Sequence, residues 1–231
     1  MEAIVLAGGF GTRLQQAVPD LPKPLAPVAG KPFIRYILEW LTDNQITRVI
    51  LAVGYKWERI REELGDRFRS IELVYSVEDQ PLGTGGAIRK AMNSLTGDRF
   101  FIINGDTYCK LDLSQLCLFH HAGNFELSMV LKPMDDAGRY GLVTIDHKKR
   151  VTGFSEKQPG SRGLINAGVY LTNSSIRTYF PDQENFSFEK DLLQAQLLRI
   201  VSGGLVTDPY FIDIGIPADY QRAQTEMSAD R

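Results

Sequence analysis

The first residues suited to chemistry lie in a glycine-rich segment behind a short apolar run. Residues 3–6 read Ala-Ile-Val-Leu, which is typical of a strand buried on both faces. Gly8, Gly9 and Gly11 follow it, and without a Cβ the backbone can turn sharply and point several N–H groups at one anion. Arg13 adds a planar, permanently charged donor fork that suits phosphate. The segment predicts a triphosphate-binding loop, with an ordinary glycine-rich turn as the alternative.

Two common phosphate motifs do not fit this loop. Leu14 stands where the dinucleotide fingerprint needs its third small residue, and no G-x-x-x-x-G-K-[S/T] string occurs. Four prolines between Pro19 and Pro27 argue against a helix, so we expect an extended segment through Pro22-Lys23-Pro24. Lys23, restricted by the prolines on either side, suits a lysine that reaches back over a phosphate. A solvated lysine in a turn is the alternative.

A second glycine-rich stretch spans residues 78–86 and leads into an apolar helical stripe. Backbone groups of such a loop could hold a flat base by its edge. Glu78 could accept hydrogen bonds from N1–H and the N2 amine of guanine, groups that adenine lacks at those positions. A capped helix start with nothing bound is the alternative.

A third candidate is the carboxylate that follows the apolar run 100–103. Asn104, Gly105 and Asp106 end this predicted strand. A carboxylate at the end of a buried strand is costly unless it is paired or bound to a metal. Asp106 is therefore a candidate oxygen ligand for Mg²⁺, which prefers carboxylates and substrate phosphates. A turn-capping aspartate is the alternative.

Alternating elements must position these groups. Apolar patterns predict helices at 31–44 and 56–64 and strands at 48–53 and 71–77. Strand, helix, strand, helix, strand favours an α/β sheet of parallel order, in which ligands bind beyond the carboxyl ends of the strands. All three candidate segments follow such strands.

From residue 111 the pattern changes. We predict helices at 111–121 and 217–227, an amphipathic helix opened by Ser187–Asp191, and five strands. The strands cover 127–131, 141–145, 151–155, 163–170 and 210–215. The acidic residues at the start of the middle helix suit its dipole at least as well as catalysis. His120 and His121 are adjacent, without the spacing of a zinc pair, so both are interpreted as surface residues.

Composition narrows the class of protein. A chain of 231 residues suits one sizeable core, and 26 Lys plus Arg against 28 Asp plus Glu give no electrostatic case for nucleic acid or anionic lipid. No signal peptide is recognisable, and no apolar run reaches the roughly 18 residues of a membrane helix. Cys109 and Cys117 form no disulfide framework, so a cytoplasmic location is expected. The sequence is compatible with a monomer and with a homo-oligomer.

The string L-A-G-G-x-G-T-R-L at residues 6–14, followed by P-K-P-L at 22–25, resembles the signature of the sugar-1-phosphate nucleotidyltransferases. These enzymes join a nucleoside triphosphate to a sugar 1-phosphate and release pyrophosphate. The resemblance implies one domain, 1–231, with a Rossmann-like, mixed but mainly parallel sheet flanked by helices (the nucleotide-diphospho-sugar transferase fold). Residues 1–110 would mainly bind nucleotide and supply one metal ligand; residues 111–231 would mainly bind the sugar phosphate and supply the other.

The resemblance also implies the members of the site. Catalysis falls to Arg13, Lys23, Asp106 and Asp213, with Mg²⁺ held by Asp106 and Asp213; the residues alone do not show that these carboxylates meet. The nucleotide contacts would be Leu6, Ala7, Gly8, Gly9, Gly11, Thr12, Arg13, Lys23, Glu78, Pro81, Gly83, Thr84 and Gly85. The sugar phosphate would contact Tyr140, Gly141, Glu156, Lys157, Asn166 and Gly168. No Ser, Cys or His is placed as a nucleophile, so direct in-line transfer is expected.

Longer strings resemble the branch of this family that makes a GDP-sugar from GTP and D-glycero-α-D-manno-heptose 1-phosphate. They include V-E-x-Q-P-L-G-T-G-G-A-I, F-S-F-E-K-D and Y-F-I-D-I-G. Such a product would serve polysaccharide, capsule or S-layer glycan synthesis. The first alternative is a mannose-1-phosphate guanylyltransferase, and the second is a thymidylyl- or uridylyltransferase. A non-catalytic nucleotide-sugar sensor is a hypothesis of another class. Ile216 departs from the usual D-I-G-T-P and puts one minor contact in doubt.

Overall fold

The computed structural model describes residues 1–9, 11, 14, 18–155 and 160–228, and ten of its strands form one mixed sheet. The helices are α1 (Phe33–Asp43), α2 (Trp57–Leu64), α3 (Gly83–Ala91), α4 (Leu113–Gly123) and α5 (Pro217–Glu226). The first eight strands are β1 (Glu2–Leu6), β2 (Pro27–Val28), β3 (Lys31–Pro32), β4 (Arg48–Val53), β5 (Arg67–Phe68), β6 (Ile71–Val77), β7 (Arg99–Asn104) and β8 (Thr107–Cys109). The others are β9 (Leu127–Met134), β10 (Leu142–Ile145), β11 (Val151–Ser155), β12 (Gly163–Asn173), β13 (Ser202–Val206) and β14 (Phe211–Asp213).

Four parallel strands form the part of the sheet that the N-terminal pattern predicts. They lie in the order β6-β4-β1-β7, and α1, α2 and α3 connect them in sequence. The chain adds strands in one direction from β1 through β4 to β6, then crosses to the other side of β1 with β7. Such a reversal opens a crevice beyond the carboxyl ends of the strands, where α/β proteins bind ligands. The expected Rossmann-like, mainly parallel fold is confirmed.

The second half continues the sheet with antiparallel strands. The long strand β12 pairs with β7, β9 and β10, and β10 pairs with β11. Beyond β9 lies the parallel strand β13, which the sequence analysis missed because its Gly203-Gly204 pair is unfavourable in a strand. Two short strands, β8 and β14, form a separate antiparallel pair beside the sheet. This small pair brings the end of the first half next to the end of the second.

Helices cover both faces of the sheet. Val5 and its neighbours pack in a core with α1, α2, α4 and α5, whereas Ile4 points into a second core with α3. That second core also contains Phe188 and Leu192 of a π-helical segment, Phe188–Gln194. The predicted amphipathic helix at this position is thus a short π-helix followed by turns. Both β1 faces are buried, as the unbroken apolar run predicts.

Two local expectations are wrong. Lys23–Leu25 is a 3₁₀ turn rather than an extended segment, because proline is tolerated in the first turn of a helix, where its missing N–H is not needed. His120 is buried rather than on the surface. Its Nδ1 lies 2.9 Å from Ser128 Oγ, and burial lowers its pKa to about 4, so it is a neutral core residue near pH 7.

None of the helices within the described residues is long and apolar enough to cross a lipid bilayer.

Candidate active site

A cavity of about 580 Å³ lies at the carboxyl ends of the four parallel strands. Its volume is in the range of sites for drug-sized ligands and cofactors. The cavity is lined by Leu6, Ala7, Gly8, Gly9, Lys23, Pro24, Ala52, Gly54, Tyr55, Glu78, Asp79, Gln80, Pro81, Gly83, Thr84, Ala87, Asn104, Gly105 and Asp106. The three segments that the sequence analysis selected therefore border one cavity.

The glycines of the first loop allow close packing against neighbouring groups. A Cβ on Gly8 would come within 2.8 Å of Glu78 Oε1, and one on Gly11 within 2.9 Å of the Cβ of Lys23. Gly11 also has a φ of +61°, a conformation that favours glycine. These two glycines let the loop approach both Glu78 and Lys23. Thr12 and Arg13, the expected phosphate contacts, lie outside the described residues.

Lys23 and two distant carboxylates meet beside the cavity. Lys23 Nζ lies 2.5 Å from Asp106 Oδ2, with the lysine side chain 13% exposed and the aspartate 39%. Pairing of β8 with β14 sets Asp213 opposite Thr107, and the N–H of Ile214 donates to the carbonyl of Asp106 at 3.0 Å. The structure thus brings Lys23, Asp106 and Asp213 together from three separate parts of the chain.

The electrostatics of this cluster favour a cation between the carboxylates. Burial and, second to it, the negative charge of Asp106 raise the pKa of Asp213. Lys23 and the N–H of Gly215, which donates to Asp213 Oδ1 at 2.6 Å, only partly offset these effects. A divalent ion would relieve the same repulsion.

Two carboxylates do not form a complete protein cage for a metal. Among the described residues, no group of three or more His, Cys, Asp or Glu gathers in a way that could hold a metal ion. Mg²⁺ nevertheless binds commonly through one or two carboxylates, with water and substrate phosphates completing its shell. Asp106 and Asp213 therefore fit an ion that arrives with a phosphorylated substrate.

Glu78, the predicted base contact, lines the cavity beside Gly8 of the first loop. Its Oε2 accepts from the N–H of Leu82 at 2.9 Å, while Oε1 points toward Gly8. Burial raises its pKa, and the hydrogen bond from Leu82 and the charge of Lys90 oppose that shift. One fixed carboxylate oxygen and one facing the cavity suit the recognition of a base edge.

The glycine-rich start of α3 has a structural task besides lining the cavity. Gly83 and Thr84 line it, but the Gly85 N–H donates to the carbonyl of Phe186 at 2.8 Å. Thr84 Oγ1 accepts from the N–H of Phe188 at 2.9 Å. A Cβ on Gly85 would overlap the ring of Phe186. These glycines therefore let the segment 184–188 of the second half pack directly onto α3.

The expected sugar side contains a network of polar side chains. Asn166 Nδ2 lies 2.5 Å from Tyr170 Oη and donates to Glu189 Oε1 at 3.0 Å. Gly168, with a φ of +71°, donates its N–H to Asn166 Oδ1 at 3.1 Å and packs against Asn104. Asn166 and Gly168 thus adjoin the end of β7, whereas Glu156 and Lys157 lie outside the described residues.

Sequence reasoning did not select Tyr170 or Glu189. Tyr170 stands in an apolar strand, where a core residue is the simplest interpretation. Glu189 belongs to the acidic residues that suit the helix dipole at least as well as catalysis, and it was not selected as a site residue. Tyr170 is in fact fully buried with its hydroxyl 3.2 Å from Glu189 Oε1. A buried tyrosine needs such a partner, and its position in strand β12 could have prompted a search for one.

Tyr140 and Gly141 precede β10 and approach the carboxylate cluster from the second half. The Tyr140 ring meets that of Phe211 edge to face, with centroids 6.1 Å apart. Burial first, and the nearby charge of Asp213 second, raise the pKa of Tyr140 to about 12. Its hydroxyl therefore stays protonated near pH 7, within the electrostatic range of Asp213.

Comparison with known sequences assigns the chain to a family over nearly its whole length. The Nucleotidyl transferase family matches residues 2–230, and the chain belongs to that family. It is 46% identical over 227 residues to the D-glycero-α-D-manno-heptose 1-phosphate guanylyltransferase of Aneurinibacillus thermoaerophilus, covering 98% of each chain. It is 44% identical over 220 residues to the protein of that description from Campylobacter jejuni, covering 95% of this chain and 97% of the relative.

A solved structure supports the same relationship. HddC from Yersinia pseudotuberculosis superposes with a TM-score of 0.88 at 37% identity, covering 98% of this chain and 99% of HddC. HddC complexed with GMP-PN gives a TM-score of 0.86 at the same identity and coverage. HddC, with the same fold, thus binds a guanine nucleotide analogue.

Proposed function

We propose that this protein is a guanylyltransferase that joins GTP to D-glycero-α-D-manno-heptose 1-phosphate and releases pyrophosphate. The observation that carries the proposal is the meeting of Lys23, Asp106 and Asp213 beside a cavity that also exposes Glu78. The names of the two bacterial relatives and the guanine analogue bound to HddC support the choice of substrates. The product would enter polysaccharide, capsule or S-layer glycan synthesis.

The nucleotide occupies the cavity in this proposal. Glu78 accepts hydrogen bonds from N1–H and the N2 amine of guanine, beside the backbone of Pro81, Gly83 and Thr84. Leu6, Ala7, Gly8, Gly9, Gly11 and Thr12 contribute the phosphate loop, and Arg13 holds the β- and γ-phosphates. Gly85 completes the base loop chiefly through its packing on the second half.

The acceptor binds from the second half. Asn166, Tyr140 and the backbone of Gly141 and Gly168 contact the sugar, Glu156 accepts from its hydroxyls, and Lys157 pairs with its phosphate. The proposed division is thus 1–110 for nucleotide and one metal ligand, and 111–231 for sugar phosphate and the other.

The chemistry is an in-line attack of the sugar-phosphate oxygen on the α-phosphorus of GTP. Two anions must approach each other, so alignment and charge neutralisation supply most of the barrier reduction. Lys23 offsets charge that grows on the α-phosphoryl oxygens, and the loop amides with Arg13 stabilise the leaving pyrophosphate. No side chain serves as a covalent nucleophile, so both substrates bind before the transfer.

Asp106 and Asp213 would hold the divalent ion that nucleotidyltransferases of this family typically use, and we propose that it is Mg²⁺. When bound, such an ion supplies charge neutralisation and Lewis-acid polarisation of phosphoryl oxygens. We also propose a cytoplasmic location, since Cys109 and Cys117 are both free thiols.

The direct test is a pyrophosphate-release assay with GTP, ATP, UTP and dTTP against the 1-phosphates of D-glycero-D-manno-heptose, mannose and glucose. We expect turnover with GTP and the heptose phosphate to exceed every other pair. A preference for mannose 1-phosphate would identify the alternative guanylyltransferase, and dTTP or UTP preference would refute the base assignment. Binding of nucleotide sugar without any turnover would instead identify a sensor.

A further inference from the structure

Arg139 places a second cation within electrostatic range of the carboxylate cluster. Its Nη1 lies 2.5 Å from Asp219 Oδ2, and its guanidinium carbon stands 5.5 Å from the centre of the Tyr140 ring. The negative charge of Asp213 acts electrostatically on both Arg139 and Tyr140. Lys23, by contrast, contacts Asp106. The two cations therefore act on different members of the cluster, Lys23 on Asp106 by contact and Arg139 on Asp213 through space.

The guanidinium of Arg139 is held by an ion pair and remains partly exposed. Its anchor, Asp219, is 8% exposed and lies in the first turn of α5, where a helix dipole favours an anion. The side chain of Arg139 itself is 46% exposed. One donor nitrogen contacts Asp219 and another lies 3.5 Å from Tyr140 Oη. An arginine with five N–H donors keeps capacity for a further anion in this arrangement.

Chain connectivity couples this arginine to the expected chemistry. Asp213 ends β14, and α5 begins at Pro217, so one short segment supplies both a carboxylate of the cluster and the anchor of Arg139. Tyr140, which follows Arg139 directly, is an expected sugar contact. A phosphate carried on a sugar beside Tyr140 would therefore meet this guanidinium.

We propose that Arg139 binds the phosphate of the sugar 1-phosphate, and that Asp219 is the positioning residue that holds the guanidinium in place. This inference rests on the proposed function, because it assigns the acceptor side of the same site. A planar guanidinium matches phosphate oxygens with two parallel hydrogen bonds and stays charged throughout the reaction. It would hold the attacking anion next to Asp106 and Asp213, while Lys23 offsets charge on the α-phosphate of the nucleotide.

The test is steady-state kinetics of Arg139→Gln and Arg139→Lys, with GTP and the heptose or mannose 1-phosphate varied separately. We expect Arg139→Gln to raise the KM for the sugar 1-phosphate about 10- to 100-fold, as lost charged hydrogen bonds do. The KM for GTP should change less than about threefold. Arg139→Lys should recover part of the loss, because it restores the charge without the planar fork.

Arg222→Gln is the matched control, since Arg222 shares the Asp219 carboxylate, is equally exposed and also pairs with Glu226. It should leave both KM values within about twofold of wild type. An unchanged sugar-phosphate KM in Arg139→Gln, or equal losses in both arginine variants, would overturn the inference while the wild-type enzyme stays active. Absence of guanylyl transfer by the wild type would overturn the proposed function and the inference with it. Thermal unfolding of each variant separates misfolding from lost binding. If Arg139→Gln does not fold, Arg139→Lys decides the question, because it retains the charge that faces Asp219.

Discussion

The two halves of the molecule build their parts of the site in different ways. Up to residue 110, the cavity lies at the ends of four parallel strands and is lined largely by loop backbone and small residues. From residue 111 onward, the proposed acceptor side consists of side chains that orient one another, as in the contacts of Asn166 with Tyr170 and Glu189. A cavity lined by loop backbone and small residues follows from local sequence. A network of side chains can be altered one residue at a time to suit different sugars.

The two halves meet at the carboxylate cluster, to which each contributes one aspartate. Substitution of these two residues should therefore have the largest effect. We expect Asp106→Asn and Asp213→Asn each to lower kcat on the order of a hundredfold or more in the GTP and sugar 1-phosphate assay. Asp213→Asn should unfold at the same or a higher temperature than wild type, because it removes the repulsion between two carboxylates in a partly buried site.

Asp112→Asn is the control for the carboxylate variants. Asp112 caps α4 through the N–H of Ser114, and asparagine caps a helix about as well. Activity and stability should therefore both be retained. Near-wild-type turnover in either cluster variant would refute the metal role, whichever half supplies the residue.

The second test concerns Glu78, the proposed base contact in the first half. Because burial raises the pKa of Glu78, it loses its charge at a higher pH than an ordinary glutamate. GTP binding that needs the carboxylate should weaken as the pH falls through that raised pKa, and the KM for GTP should rise. Glu78→Gln should raise this KM about 10- to 100-fold at neutral pH and remove the acid-side dependence.

The same substitution should leave the folded state at least as stable. A carboxyl whose pKa is raised by folding destabilises the protein at pH values above that pKa, where it must be charged in a desolvated site. Glutamine avoids this cost and can still accept from the Leu82 N–H. Glu72→Gln, an exposed change on β6, is the control for GTP binding. A Glu78→Gln enzyme that discriminates GTP from ATP as well as wild type does would exclude Glu78 from base recognition.

Local sequence predicts the first half well because its elements are periodic and consecutive. The bounds of β4 and β6 agree with the apolar runs 48–53 and 71–77, and the cavity follows from where those strands end. The carboxylate cluster, which joins the two halves, is different in kind. Asp213 reaches Asp106 through two three-residue strands, β8 and β14, and strands so short carry little pattern of their own.

The missed contacts share a physical cause. Tyr170 and His120 both stand beside apolar residues, and each is buried with a partner from a different secondary-structure element that satisfies its polar atom. A sequence pattern records burial but not the partner. Resemblance to known enzymes selected Asn166 and Asp213, whereas composition and periodicity alone would have left Glu189 as a helix-capping residue.

The last test addresses the interface between the two halves, where Gly85 also serves packing. Gly85→Ala should lower the free energy of unfolding by about 1–3 kcal/mol, because the added methyl would overlap the ring of Phe186, which is itself fully buried. Gly9 is the matched comparison, since no atom of the residues that the structure describes lies within 4 Å of a Cβ built there, its chain neighbours aside. Gly9→Ala should be neutral or stabilise by up to about 1 kcal/mol, through lost freedom in the unfolded chain. Urea unfolding of both variants without substrate measures the difference. Equal stabilities would mean that the segment 184–188 can detach from α3 at little cost, and that the two halves are less firmly joined than their packing indicates.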